Sequence, residues 1–136
     1  RGITIEDCHS TRLPSSLHPF KQGYQILPTD SLCAIPLPGH APGHFGLYIH
    51  MNSESDMFLI GDACWHSAAY REYTLPHWLT SLIMENKADY ADTLAKLNQL
   101  YLHNPNIKII PSHCTELVSN CAHATEEAAS ISEALR

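Results

Sequence analysis

The chain is short of several things, and each shortage removes a class of function. No apolar run is long enough to span a membrane, and Arg1-Gly2-Ile3-Thr4 has no apolar leader core. There is no basic patch and the net charge is −6, so nucleic acid is not an expected partner. No Cys-x-x-Cys pair occurs, and five cysteines make an odd number without framework spacing. That pattern favours reduced, intracellular thiols over a disulfide scaffold, and a cytoplasmic location is expected. There is no internal repeat, no low-complexity block and no linker that divides the chain. The 136 residues suit one domain and suffice to bury a core. The chain begins with Arg1 and not Met, which fits processing, truncation or tag removal.

Ten histidines are present, and most carry no metal-ligand context. A scattered histidine is more often a surface or hydrogen-bonded residue than a ligand. Cys8-His9 has nothing nearby to complete a ligand set and reads as an exposed loop. The exceptions stand at three points: Pro38-Gly39-His40-Ala41-Pro42-Gly43-His44, then Gly61-Asp62-Ala63, then Pro111-Ser112-His113. Each falls where an apolar run stops and a loop begins. His, Asp and His delivered from strand ends suit a metal site, since imidazole and carboxylate are good ligands for zinc and similar ions. Gly39 and Gly43 let the loop turn tightly around the histidines.

The elements follow from pattern. Ile3–Ile5 alternates briefly, as an edge strand or a linker end. Tyr24–Leu27 reads as a short strand and Pro28–Ser31 as a turn. Leu32–Leu37 alternates, and Pro36 and Pro38 end its pairing. Phe45–Met51 and Met57–Ile60 are strands flanking a polar hairpin loop over Asn52–Asp56. Cys64–Pro76 is irregular and aromatic. Leu75–Met84 has helical spacing at Trp78, Leu79, Leu82 and Ile83. Lys87–His103 is the clearest helix, with Tyr90, Leu94, Leu97 and Tyr101 at helical intervals and Asn104-Pro105-Asn106 as its stop. Ile107–Ile110 is a strand that delivers His113, and an Ala/Glu-rich terminal helix is expected from Thr115.

The three motifs in this order resemble the second half of the metallo-beta-lactamase fold, over about Leu32 to Cys114. That superfamily carries an earlier His-x-His-x-Asp-His motif, which this chain lacks; no two of its histidines are even spaced His-x-His. The resemblance implies an α/β fold, the C-terminal half of an αββα sandwich, with a small mixed sheet covered by helices on one face. Residues 1–136 would then be a partial domain without its N-terminal half. The bare sheet face should bind that missing half or a second copy of the chain.

Residue by residue, the resemblance implies that His40 and His113 bind metal and that Asp62 bridges two ions and serves catalysis. His44 would be a structural post. The cofactor implied is a pair of zinc ions, with iron or manganese in some branches. The parent protein would cleave an ester, thioester or lactone of a small molecule by a metal-bound hydroxide. The missing motif normally supplies four ligands, so His40, Asp62 and His113 alone are two half-shells, and this chain's own activity stays open. The PGHxPGH form and the GDA aspartate resemble the lactonase and glyoxalase-II-like branches. A tyrosine often follows the bridging aspartate by three residues in the lactonases; here Trp65 holds that place, and an indole lacks phenolic acidity. Trp65 and Tyr70 are candidates for a substrate wall, with Tyr70 a stand-in for the phenol; packing under the helices is the competing reading. Cys64 and Cys114 read as small buried fillers. Two other readings compete. One is a catalytically inactive relic used for dimerisation or partner binding. The other is a small His-rich metal-binding domain in which His9, His18 or His123 would join as ligands.

Overall fold

The computed structural model describes residues 8–27, 31–51, 55–76 and 84–114. Six strands form one mixed sheet in the order β1-β2-β3-β4-β5-β6. They are β1 His9–Arg12, β2 Gln22–Gln25, β3 Leu32–Pro36, β4 Phe45–Ile49, β5 Asp56–Gly61 and β6 Ile107–Pro111. Every neighbouring pair is antiparallel except β5 and β6, which run parallel. A parallel neighbour needs a crossover. Here the crossover contains α1 (Ser67–Arg71) and α2 (Lys87–His103).

Alternation along the strands sorts the side chains. Cys33 and Ile35, Tyr48, Phe58 and Ile60, and Ile107 and Ile109 share one face and are buried in the core with Leu94, Leu97 and Leu100 of α2. Phe58, Ile35, Ile60 and the three leucines are fully enclosed, each contributing about 1.5–3 kcal/mol of burial. The other face carries Phe45, Leu47, Ile49, Met57 and Leu59, all only half-buried among the described residues. One covered face and one incompletely covered apolar face agree with a sheet that takes its helices on one side.

α2 starts at Lys87 because Asn86 caps it, its side chain accepting from the backbone N–H of Ala88 (3.0 Å) and Asp89 (3.2 Å). The buried stripe is Tyr90, Thr93, Leu94, Leu97 and Leu100. Tyr101, expected on that stripe, is 38% exposed and lies edge-on against Tyr70 at 5.6 Å. Two further expectations are corrected. Cys8-His9 is not plain loop, since His9 opens β1 and pairs with Gln25. The stretch after Asp62 is not wholly irregular, since it contains α1. The expected helix residues 77–83, the terminal helix from Thr115, the Ile3–Ile5 alternation and residues 52–54 of the hairpin loop lie outside the described residues. Among the described residues no helix is long and apolar enough to cross a membrane, and no disulfide joins any two of Cys8, Cys33, Cys64 and Cys114.

Candidate metal centre

Three loops meet at one end of the sheet. The first leaves β3 and returns as β4. Leu37 N–H donates to the His44 carbonyl (2.9 Å), closing the loop into a tight return. The start of α2 holds it from outside: Asn86 N–H donates to the Gly39 carbonyl (3.1 Å), Glu85 N–H to that of His40 (3.4 Å), and the buried Thr93 hydroxyl to that of Pro38 (2.8 Å). Gly39 has φ +123° and lies so close to α2 that a Cβ would come within 2.3 Å of the Tyr90 nitrogen. Only glycine meets both demands. The second loop follows β5 and the third follows β6. Ser112 N–H donates to the Gly61 carbonyl (3.1 Å) and locks these two together.

The result gathers the expected residues around one carboxylate. Asp62 Oδ2 lies 3.7 Å from His40 Nε2, and Oδ1 lies 3.3 Å from His113 Nε2. Ser112 donates its hydroxyl to Oδ1. That bond holds the Asp62 carboxyl below the usual carboxylate range; partial burial opposes the shift, and His113, His40 and His44 add to it. His44 stands behind, its Nδ1 3.1 Å from the Leu37 carbonyl and its ring edge-on to His40 at 5.8 Å. A carbonyl only accepts, so His44 Nδ1 carries the proton, which suits a post under the loop.

The donor types fit a divalent ion: an imidazole beside each oxygen of one carboxylate. His40 Nδ1 is buried and has no hydrogen-bond partner among the described residues. The number of donors falls short, because among the described residues no group of three His, Cys, Asp or Glu side chains is arranged to hold an ion. His9 on β1 and His18 in the β1–β2 connection are exposed, and His123 lies outside the described residues.

The aromatic candidates separate. Trp65 is half-buried on the wall of an apolar groove of about 420 Å³ that Ala69, Leu75, Met84 and Tyr90 also line. Tyr70 is corrected: it is 3% exposed, and its hydroxyl donates to the Ile109 carbonyl (3.1 Å), so it joins α1 to β6 inside the core and offers no phenol to a substrate. Its acidity is suppressed by burial. Cys64 and Cys114 are buried, and burial pushes the Cys64 thiol up to about 12, with Cys114 adding to it. Neither is a poised nucleophile. Ser112 was part of the third motif, yet its hydroxyl contact with Asp62 could not be read from the chain; Thr93, a polar residue inside an apolar helix stripe, is the visible sign of the loop anchor.

No protein-family profile matches the chain. It is 27% identical over 105 residues to the N-acyl homoserine lactonase AttM of Rhizobium radiobacter, covering 76% of this chain and 37% of AttM. An N-acyl homoserine lactone hydrolase, solved with N-hexanoyl-L-homoserine at its catalytic metal centre, superposes with a TM-score of 0.57 at 18% identity, over 73% of this chain and 36% of its own. A quorum-quenching N-acyl homoserine lactone lactonase gives a TM-score of 0.54 at 18% identity, over 68% of this chain and 35% of its own. With three loops converging on Asp62 and these likenesses together, the chain has the metallo-beta-lactamase fold and is related to the N-acyl homoserine lactonases, of whose length it spans a little more than a third.

Proposed function

We propose that the chain is part of a metal-dependent hydrolase of lactones or related esters, and that Asp62, His40 and His113 are its contribution to the metal centre. The observation that carries this reading is the placement of one imidazole beside each oxygen of the Asp62 carboxylate. A pair of divalent ions, zinc first among them, would polarise the substrate carbonyl and acidify water there. His40 would hold one ion and His113 the other, with Asp62 shared between them. The remaining ligands come from a segment outside this chain, and that segment packs on the face formed by Phe45, Leu47, Ile49, Met57 and Leu59.

The protein's own part is positioning. Ser112 fixes the Asp62 carboxylate, and His44 and the α2 contacts fix the loop that carries His40. Trp65 and its groove offer an apolar wall, which suits the acyl chain of an N-acyl homoserine lactone; this takes the substrate class from the lactonase relatives. Trp65 contributes shape and one N–H donor, with no acid–base role.

The test combines turnover with metal content. Asp62→Ala in the intact protein is expected to lower hydrolysis of N-hexanoyl-L-homoserine lactone by more than the roughly 10–100-fold cost of outer-shell changes. The same substitution should lower retained metal in elemental analysis. The chain alone, after dialysis, should retain little metal. A ratio near two ions per chain would overturn the reading that the site is incomplete.

A further inference from the structure

Thr93 interrupts the stripe that α2 turns to the core, where its companions are Tyr90, Leu94, Leu97 and Leu100. It is 2% exposed. Packing alone does not explain a hydroxyl there. Valine has the same shape and buries no polar group, whereas a buried hydroxyl is unfavourable unless it is bonded. Inside a helix a threonine hydroxyl commonly bonds to the carbonyl one turn back. Thr93 instead donates across the molecule to the Pro38 carbonyl (2.8 Å), two residues before His40.

That bond completes a set. The carbonyls of Pro38, Gly39 and His40 follow one another along the chain, and all three accept from α2 or the residues that lead into it. The donors are the Thr93 hydroxyl, the Asn86 N–H (3.1 Å) and the Glu85 N–H (3.4 Å). The Thr93 bond is the shortest of the three and the only one made by a side chain. Gly39 already lies against the Tyr90 backbone, so the loop has no room to move closer to α2. The hydroxyl keeps it from moving away. Asp62 and His113 are held differently, through Ser112 and the Gly61 carbonyl. Thr93 therefore acts on the His40 corner of the centre.

We propose that Thr93 is a positioning residue for His40: by holding the Pro38 carbonyl it keeps His40 Nε2 facing Asp62 Oδ2, and so sets the affinity of the His40 half of the centre without touching an ion. This rests on the reading of His40 as a metal ligand.

The test is a zinc titration of the intact protein against a competing chelator, well below its thermal midpoint. Thr93→Val should weaken one of two ions about tenfold, the low end of the roughly 10–100-fold range for outer-shell partners, and leave the other unchanged. Thr93→Ser keeps the hydroxyl and should bind as wild type does. A packing role predicts the reverse order, because serine loses a buried methyl and valine does not. Thr93→Ser and Thr93→Ala differ by the hydroxyl alone and repeat the comparison without the β-branch. His40→Ala is the control and should lose one ion. If it does, while Thr93→Val binds zinc as wild type does or the serine and alanine variants bind alike, the positioning role is overturned and the metal reading stands. If His40→Ala keeps both ions, both are overturned.

Discussion

The Ser112 hydroxyl donates to Oδ1 of Asp62, the oxygen that also faces His113. Asp62 therefore has one oxygen held by the chain and one facing His40. Ser112→Ala removes the hold without touching the core, since Ser112 is exposed. Metal retention and lactone hydrolysis by the intact protein should each fall about 10–100-fold, the usual cost of an outer-shell partner. The thermal midpoint should barely move. Metal content by elemental analysis, read beside a melting curve, checks both halves.

Gly39 and Gly43 flank His40, yet they should respond differently to alanine. At Gly39 a side chain meets the backbone of Tyr90, and φ is +123°. Gly39→Ala should push the loop off α2 and cost about 3 kcal/mol or more. At Gly43 nothing lies within 4 Å, and only the left-handed φ of +65° matters. Gly43→Ala should cost about 1–2 kcal/mol. Urea denaturation of the two variants gives the comparison, and equal losses would contradict the packing argument.

Asp56 gives a pH dependence whose sign is fixed. Partial burial opposes its ionisation, but bonds from the Tyr48 hydroxyl (2.6 Å), the Met51 N–H (3.0 Å) and His50 Nδ1 (2.9 Å) outweigh it, and the folded carboxyl titrates below the ordinary value of about 3.9. The stability it contributes is therefore fully present above that value and is lost as pH falls through the depressed folded value. Asp56→Asn should destabilise the chain by about 2 kcal/mol at neutral pH, mainly through the bonds from Tyr48 and His50. The gap between wild type and variant should stay constant down to about pH 5 and close below about pH 4. Urea midpoints across that range test it.

Tyr70 and Trp65 should separate core from groove. Tyr70→Phe leaves the Ile109 carbonyl without its donor and should cost about 1–2 kcal/mol of stability with kcat unchanged. Trp65→Ala removes a half-buried wall of the groove. It should raise KM for long-chain acyl lactones more than for short ones. A matching loss of kcat in Tyr70→Phe would restore the phenol to the reaction.

The parts of this molecule legible in the chain are those with a period or a motif. Lys87–His103 was bounded to the residue, because Tyr90, Leu94 and Leu97 repeat at helical spacing and Asn104-Pro105 stops them. The strands before His40, Asp62 and His113 were legible because alternation or an apolar run ends at each. β1 was not, since His-Ser-Thr-Arg is polar on both sides and is held by backbone pairing at an edge. Five residues of α1 are too few for a period. Tyr70 reads as a loop aromatic until the fold turns it inward. The Asp56 cluster joins residues whose types are ordinary, and only the hairpin register aims Tyr48 and His50 at one carboxylate.

The parallel seam between β5 and β6 also sets an order of events in folding. β1 to β5 join by neighbouring antiparallel turns, whose ends meet over short spans. Gly61 and Ile107, by contrast, are separated by roughly 45 residues of chain, and such long closures come late. Asp62 and His40 can thus be in place while His113 is still absent. In a refolding time course, hydrogen-exchange protection should reach β3–β5 before β6, so the His113 corner would be the last of the three loops to arrive. Simultaneous protection of all six strands would show instead that the sheet closes in a single step.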